Sequence, residues 1–198
     1  MIALASLIVG YLIGGLPTGI ILCRVIKGVD PRAIGSKSSG ATNVSRVLGK
    51  KWAAVVLIID GLKGFLPVRF LAPLFAFADG YTLAAALMAI GTVAGHVWTP
   101  YAGLRGGKGV AAAAGSMLAL GPLAVLLSLG VWAVVFVAFR IVSLASMAAT
   151  AAFPVALAVL GGRPSFHIAA AVVVALIVLF SHRGNLSRLF RGEEKTLF

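Results

Sequence analysis

A lysine set among glycines, Arg105-Gly106-Gly107-Lys108-Gly109, stands directly before an apolar run. That order puts Lys108 at a helix N-terminus, where free backbone N–H groups and the helix dipole favour an anion. A Walker A loop is excluded, because Gly109 stands where the Mg²⁺-binding Ser or Thr would be needed. The stretch Gly35-Ser36-Lys37-Ser38-Ser39-Gly40-Ala41-Thr42-Asn43, followed by Arg46, is a second anion-binding candidate. Its glycines free backbone N–H groups, its Ser, Thr and Asn side chains add neutral donors, and Arg46 can grip a phosphate bidentately. A flexible polar linker has the same composition, and this loop alone does not separate the two readings.

Other groups are spread along the chain. Asp60 and Lys63 lie three residues apart within an apolar stretch, on one helix face. Ionisable groups inside hydrocarbon are costly, so a functional role competes with mutual pairing as a brace. The brace is favoured for Asp60, and Lys63 is left open. His96 follows Gly95 just ahead of the lysine loop. Ser143 and Ser146 share a face at a helix start after Arg140. His182-Arg183-Gly184-Asn185 and Arg188 follow the last apolar run. A lone interfacial histidine is commonplace, but the donors beside His182 favour a site.

This inventory is rich in donors and poor in bases. With only 5 Asp and Glu, no carboxylate pair suits metal binding or acid–base work, and no Ser-His-Asp order is present. Such a set suits two anionic substrates brought together, one of them carrying its own leaving group. Cys23 is the only cysteine, which excludes an intrachain disulfide and a cysteine metal site.

The elements that must position these groups are membrane helices. Of 198 residues, 61% are hydrophobic and 11% charged, with a mean hydropathy of +1.08. So little charge points to lipid as the solvent, and lipid admits only helices or closed barrels. Barrel strands alternate apolar and polar residues. Here the apolar runs are continuous, so helices are predicted. They cover roughly 2–23, 53–78, 81–99, 109–120, 123–139, 142–161 and 166–181. The N-terminal run lacks a basic leader region and is expected to be retained as the first helix. Pro17 should kink it, and Gly10 with Gly14, and Gly15 with Gly19, allow close helix approach.

Gly121-Pro122 interrupts 109–139, leaving one long span or two short ones. Charge distribution favours two. With seven spans and the N-terminus outside, all of the 17 Lys and Arg residues except Lys63, Arg69 and Arg163 fall on the inside. Merging the two would send Arg140 and the basic tail outside. The same bias explains most of the net charge of +12, and no segment suits a nucleic-acid module. The chain reads as a single domain, 1–198: an all-α integral membrane protein with seven transmembrane helices, a cytoplasmic C-terminus and its donor loops on the cytoplasmic side. An anion transporter is one rival function. A phospholipid-headgroup phosphotransferase is another, although it requires several metal-holding carboxylates.

The motifs resemble those of the bacterial acylphosphate:glycerol-3-phosphate acyltransferase family. The resemblance rests on Gly35-Ser36…Gly40-Ala41-Thr42-Asn43…Arg46, Asp60…Lys63-Gly64, Gly95-His96…Gly106-Gly107-Lys108-Gly109-Val110, Ser143-Leu144-Ala145-Ser146 and His182-Arg183…Asn185…Arg188, with Glu194 near the end. It departs at Lys37-Ser38, where many members carry Gly-Asn, and at Thr196, where a basic residue is usual. The resemblance implies a bacterial inner-membrane enzyme that transfers a fatty acyl group from acyl phosphate to glycerol 3-phosphate. The products are 1-acylglycerol 3-phosphate and phosphate, the first acylation of phospholipid synthesis. It implies no cofactor or metal, and no use of acyl-CoA or acyl carrier protein. It makes Lys108, Arg46, Ser36, His182 and Asn185 the catalytic set. Gly35, Ser38, Gly40, Thr42, Asn43, Gly106, Gly107, Gly109, Ser143 and Ser146 become substrate-binding residues. Asp60, Lys63, His96, Arg183 and Glu194 become braces.

Overall fold

The computed structural model describes residues 2–76 and 81–196, and every regular element among them is helical. The helices are α1 (Ile2–Gly14), α2 (Thr18–Lys27), α3 (Ala41–Leu48), α4 (Lys50–Leu66), α5 (Tyr81–Val97), α6 (Val110–Leu120), α7 (Pro122–Phe139), α8 (Val142–Leu160), α9 (Ser165–Ser181) and α10 (Arg183–Phe190). Helix α4 continues through a π-helical segment, Pro67–Leu71, and a 3-10 segment, Ala72–Phe75. The predicted end of the second apolar segment, 77–78, lies outside the described residues.

Among the described residues, four stretches are long and apolar enough to cross a membrane: Ala3–Lys27, Thr82–Ala102, Pro122–Phe139 and Val142–Leu160. Helix α9 meets α10 at a bend of 57°, and the pair is a fifth only when counted as one broken span. Helix α6 is apolar but short, and its separation from α7 at Gly121 is real.

Pro17 does more than kink the first span. It stops α1 at Gly14, and α2 begins at Thr18. A proline supplies no N–H and blocks the preceding turn, so nearby carbonyls lose their helical donors. In an apolar interior those carbonyls need new partners. The hydroxyl of Thr99 donates to the Gly15 carbonyl, and the Lys63 ammonium donates to Leu16 O at 2.8 Å. The break is thereby tied to both α4 and the end of α5.

Small residues bring two helix pairs into backbone contact. Gly10 and Gly14 of α1 face the carbonyls of Met88 and Thr92 on α5, while Gly91 and Gly95 face those of Leu7 and Tyr11. Gly64 of α4 faces Ala112 O of α6, and Gly115 faces Gly61 O. Any larger residue would drive a Cβ into backbone at these points, so the glycines set how near the helices come. The Gly15 and Gly19 pair differs from the expectation. Gly15 meets Pro100 and Gly19 meets Ser39 O, so this pair seats loops instead of a helix.

Candidate active site

The first loop is tied around Asn43, which is fully buried on α3. Its Nδ2 lies within hydrogen-bond reach of the carbonyls of Pro31 (2.6 Å), Ile34 (3.0 Å) and Ser38 (2.9 Å). Its Oδ1 accepts from Ser36 N at 3.1 Å and from Arg46 Nη1 at 3.4 Å. One amide thus fixes both the loop path and the guanidinium. Gly35 is required where it stands: its φ is +60°, and a Cβ there would meet Asn43 Oδ1 at 2.6 Å. Ser36 Oγ and Ser38 Oγ lie 3.2 Å apart, and Ser36, Lys37 and Thr42 are exposed. Gly40 caps the start of α3.

This loop is fastened to the lysine loop. Ser39 N donates to Gly106 O at 3.4 Å. Arg32 Nη1 donates to Ala102 O at 2.7 Å and Arg105 O at 3.1 Å. Asp30 grips Arg32 through both carboxylate oxygens, at 3.0 and 2.8 Å, and also accepts from Arg24. Hydrogen bonding by Arg32, foremost among the causes, holds the Asp30 carboxyl far below the usual carboxylate range.

The lysine loop folds back on α5. Gly106 N donates to Val97 O at 3.0 Å, and Gly107 N donates to His96 O at 3.1 Å. Side chains at 106 and 107 would strike the His96 carbonyl and imidazole Nε2, so the sequence has none. Lys108 then precedes Gly109, the N-cap of α6, and its carbonyl accepts from Ser181 Oγ at 2.8 Å. Burial pushes the Lys108 ammonium down to about 8. Glu194 opposes that push, and the charges of Arg188 and Arg46 add to it. Residues from α3, the lysine loop, α10 and the tail therefore share one electrostatic neighbourhood.

The third wall is the corner between α9 and α10. His182 is buried, and its Nδ1 lies 2.8 Å from the Val178 carbonyl, one turn back. A carbonyl only accepts, so Nδ1 carries the proton and Nε2 of the neutral ring keeps its lone pair. Burial pushes His182 down to about 4, partly offset by the Val178 bond; Lys108 lowers it further, and Glu194 raises it. Glu194 closes the corner. Its Oε1 accepts from Ser143 Oγ at 2.7 Å and Asn185 Nδ2 at 2.5 Å, and its Oε2 accepts from Arg188 Nε at 2.7 Å. Burial works to raise the Glu194 carboxyl, but these donors outweigh it and hold it low.

The chain matches the family description "Glycerol-3-phosphate acyltransferase" over residues 4–192. It belongs to the glycerol-3-phosphate acyltransferase family. Curated relatives of that name include one from Myxococcus xanthus (strain DK1622), 41% identical over 191 residues that cover 96% of this chain and 97% of the relative. Another, from Syntrophotalea carbinolica, is 42% identical, covering 95% and 94%. The crystal structure of PlsY, an integral membrane glycerol 3-phosphate acyltransferase, in its glycerol 3-phosphate form superposes with a TM-score of 0.90 at 37% identity, covering 99% of this chain and 96% of that one. Its lysophosphatidic acid form superposes at 0.88 and 36%, covering 99% and 95%. The protein is thus an all-helical integral membrane enzyme, and the transporter and phosphotransferase readings fall away.

Within this acyltransferase, the Lys108 loop, His182, Asn185 and Glu194 meet at one corner, while Arg46 is held by Asn43 and reaches Lys108 through its charge. The two serines of α8 part company. Ser143 joins Glu194, whereas Ser146 Oγ accepts from Trp132 Nε1 at 3.3 Å, and its carbonyl takes Thr150. Arg183 turns outward and stacks 4.5 Å over the Phe180 ring, its Nη1 donating to Phe180 O. Asp60 and Lys63 pair at 2.8 Å, and His96 Nδ1 lies 3.8 Å from Asp60 Oδ1, too far for a hydrogen bond. These three line a narrow crevice beneath the loops with Gly15, Thr18 and Ser39. An apolar groove of about 390 Å³ adjoins Lys63, walled by Ile13, Ile59, Leu62, Leu66, Phe70 and Leu71. Sequence reasoning missed the Asp30–Arg32 clasp and Thr99. The acidic residue two positions before Arg32, at the head of the loop, was the available signal for the clasp.

Proposed function

We propose that this acyltransferase takes its acyl group from a fatty acyl phosphate and delivers it directly to glycerol 3-phosphate. The glycerol hydroxyl oxygen attacks the acyl carbonyl carbon, and the bond from that carbon to the phosphate oxygen breaks. The products are 1-acylglycerol 3-phosphate and inorganic phosphate, the first acylated intermediate of phospholipid synthesis. An acyl phosphate is a mixed anhydride with a built-in leaving group, so no protein nucleophile is needed. The carrying observation is the corner where Ser143, Asn185 and Arg188 converge on Glu194 beside His182, with the Lys108 loop tied to it through Ser181.

In this reading Lys108 and Arg46 hold phosphate and stabilise charge gathering on the departing one. Ser36, Ser38 and Thr42 add donors to the first phosphate, and the Gly106, Gly107 and Gly109 backbone adds N–H groups. Asn43, its own donors already engaged, orients Arg46. His182 Nε2 accepts from the attacking hydroxyl, and Asn185 and Ser143, positioned by Glu194, face the glycerol phosphate. Burial disfavours a proton on the His182 imidazole, whereas the phosphate oxygens of the substrates accept one readily. The hydroxyl proton therefore passes to a phosphate oxygen, with His182 orienting the hydroxyl. Asp60, Lys63 and His96 brace the lysine loop from below, and the apolar groove takes the acyl chain.

The reading places seven spans in the bacterial inner membrane as a single domain, N-terminus outside and donor loops cytoplasmic. The short α6 is then a thin or tilted crossing. The test uses purified protein in lipid with acyl phosphate, acyl-CoA or acyl carrier protein thioester as donor. Phosphate release and acylated product are expected with acyl phosphate alone. Efficient transfer from a thioester would overturn the donor assignment.

A further inference from the structure

The two turns of α10 present two unlike faces. Asn185 is buried toward Glu194, while Arg183, Leu186, Ser187 and Phe190, spaced i, i+3, i+4, i+7, are all exposed. Phe190 is 84% exposed and Leu186 44%. The helix turns 57° away from α9 at His182, so it runs across the end of that span and does not extend it. At the turn Arg183 lies flat on Phe180, itself 54% exposed, and Arg191 follows Phe190 at the far end, its Nε on Glu193 at 2.9 Å and its side chain 59% exposed. An apolar stripe flanked by guanidinium groups, at the end of an apolar span, matches the boundary between acyl chains and anionic headgroups.

We propose that α10 docks on the bilayer's own anionic phospholipid phosphates, with Phe190 and Leu186 entering the acyl boundary and Arg183 and Arg191 pairing with phosphate. This rests on the membrane enzyme reading given above. The consequence is a link between surface charge and catalysis. The face of α10 opposite the stripe carries Asn185, which shares Glu194 with Arg188 and Ser143, and Lys108 feels both Glu194 and Arg188. Seating one face of so short a helix fixes the angle of the other, so anionic lipid tunes the site.

The test compares turnover in vesicles of phosphatidylcholine with and without phosphatidylglycerol, for the parent protein and for the Phe190→Ser/Arg191→Gln double variant. Anionic lipid is expected to raise parent kcat/KM at least about threefold. The variant should match the parent in detergent and lose the lipid response. Equal parent rates in both vesicles, or an undiminished response in the variant, would overturn the proposal. A nitroxide on Phe190→Cys, with Cys23 buried and unreactive, gives an independent reading. Preferential quenching by oxygen over a water-soluble nickel complex is expected, and the reverse would refute docking. Absence of phosphate release under every condition would instead count against the acyl phosphate reading, leaving the nitroxide result to judge the docking.

Discussion

Gly107 donates its backbone N–H to the carbonyl of His96, and the imidazole of that same histidine fills the space where a Cβ at position 107 would stand. The ring cannot easily retreat, because Asp60 lies 3.8 Å behind it and the side chain is only 6% exposed. A methyl at 107 must therefore move the loop that carries Lys108. Gly107→Ala should lower kcat/KM about a hundredfold, the scale of a reacting group misplaced by about an ångström. Trimming the ring in Gly107→Ala/His96→Ala should recover part of that loss. Steady-state kinetics of both variants checks this, and no recovery would separate the loop's position from the ring.

Lys108 sets the alkaline side of the pH profile. Its folded pKa is about 8, lowered chiefly by burial. Its charge is present below that value and is lost as pH rises through it. Since the cation holds phosphate in the proposed site, kcat/KM should fall above about pH 8. Lys108→Arg, whose side chain does not deprotonate in this range, should retain a low rate without that limb. Lys108→Ala should abolish transfer while the protein still folds and inserts.

These expectations depend on features unequally legible in the sequence. The helix break at Gly121-Pro122 and the Asp60–Lys63 pair follow from local rules: proline chemistry and helical periodicity. The site's closure follows from no local rule. Ser143 meets Glu194 across 51 positions and Arg32 meets Ala102 across 70. Those contacts exist because whole helices pack at distances set by glycines on α1, α4, α5 and α6. Likewise helical periodicity sets Arg183 and Asn185 on opposite faces of α10, and the bend at His182 decides which of them meets Glu194.

Glu194 should act on stability as well as on rate. Its carboxyl is held low by Ser143, Asn185 and Arg188 against the upward pull of burial. A lowered carboxyl stabilises the fold above its ordinary pKa, and that contribution is lost as pH falls through the folded value. Glu194→Gln keeps the shape and removes the charge, and should cost about 1–3 kcal/mol. Thermal unfolding followed through exposure of the buried Cys23 thiol measures it. The deficit of the variant should shrink as the buffer is made more acidic.

His182 separates orientation from proton removal. With Nδ1 committed to Val178, only Nε2 can meet the substrate hydroxyl. His182→Ala should cut kcat/KM for glycerol 3-phosphate about a hundredfold. It should leave the alkaline limb near 8 in place, since that limb belongs to Lys108. Disappearance of the limb in this variant would assign it to the histidine corner instead.

The groove beside Lys63 offers a test of acyl-chain selection. Its walls come from α1, α4 and the π-helical segment, with Ile59 and Leu62 nearest the polar crevice in sequence and Phe70 and Leu71 beyond them. A chain entering beside Lys63 would meet Leu66 and Phe70 with its far end. Widening the end by Phe70→Ala should therefore favour longer donors, and narrowing it by Leu66→Trp should favour shorter ones. Each added methylene buried in such a groove is worth about 0.8 kcal/mol. A shift of two carbons should thus change relative kcat/KM by about fifteenfold. Competition between acyl phosphates of different length, read by mass spectrometry of the products, measures that ratio directly. An unchanged chain profile in both variants would place the acyl chain on another face of the bundle.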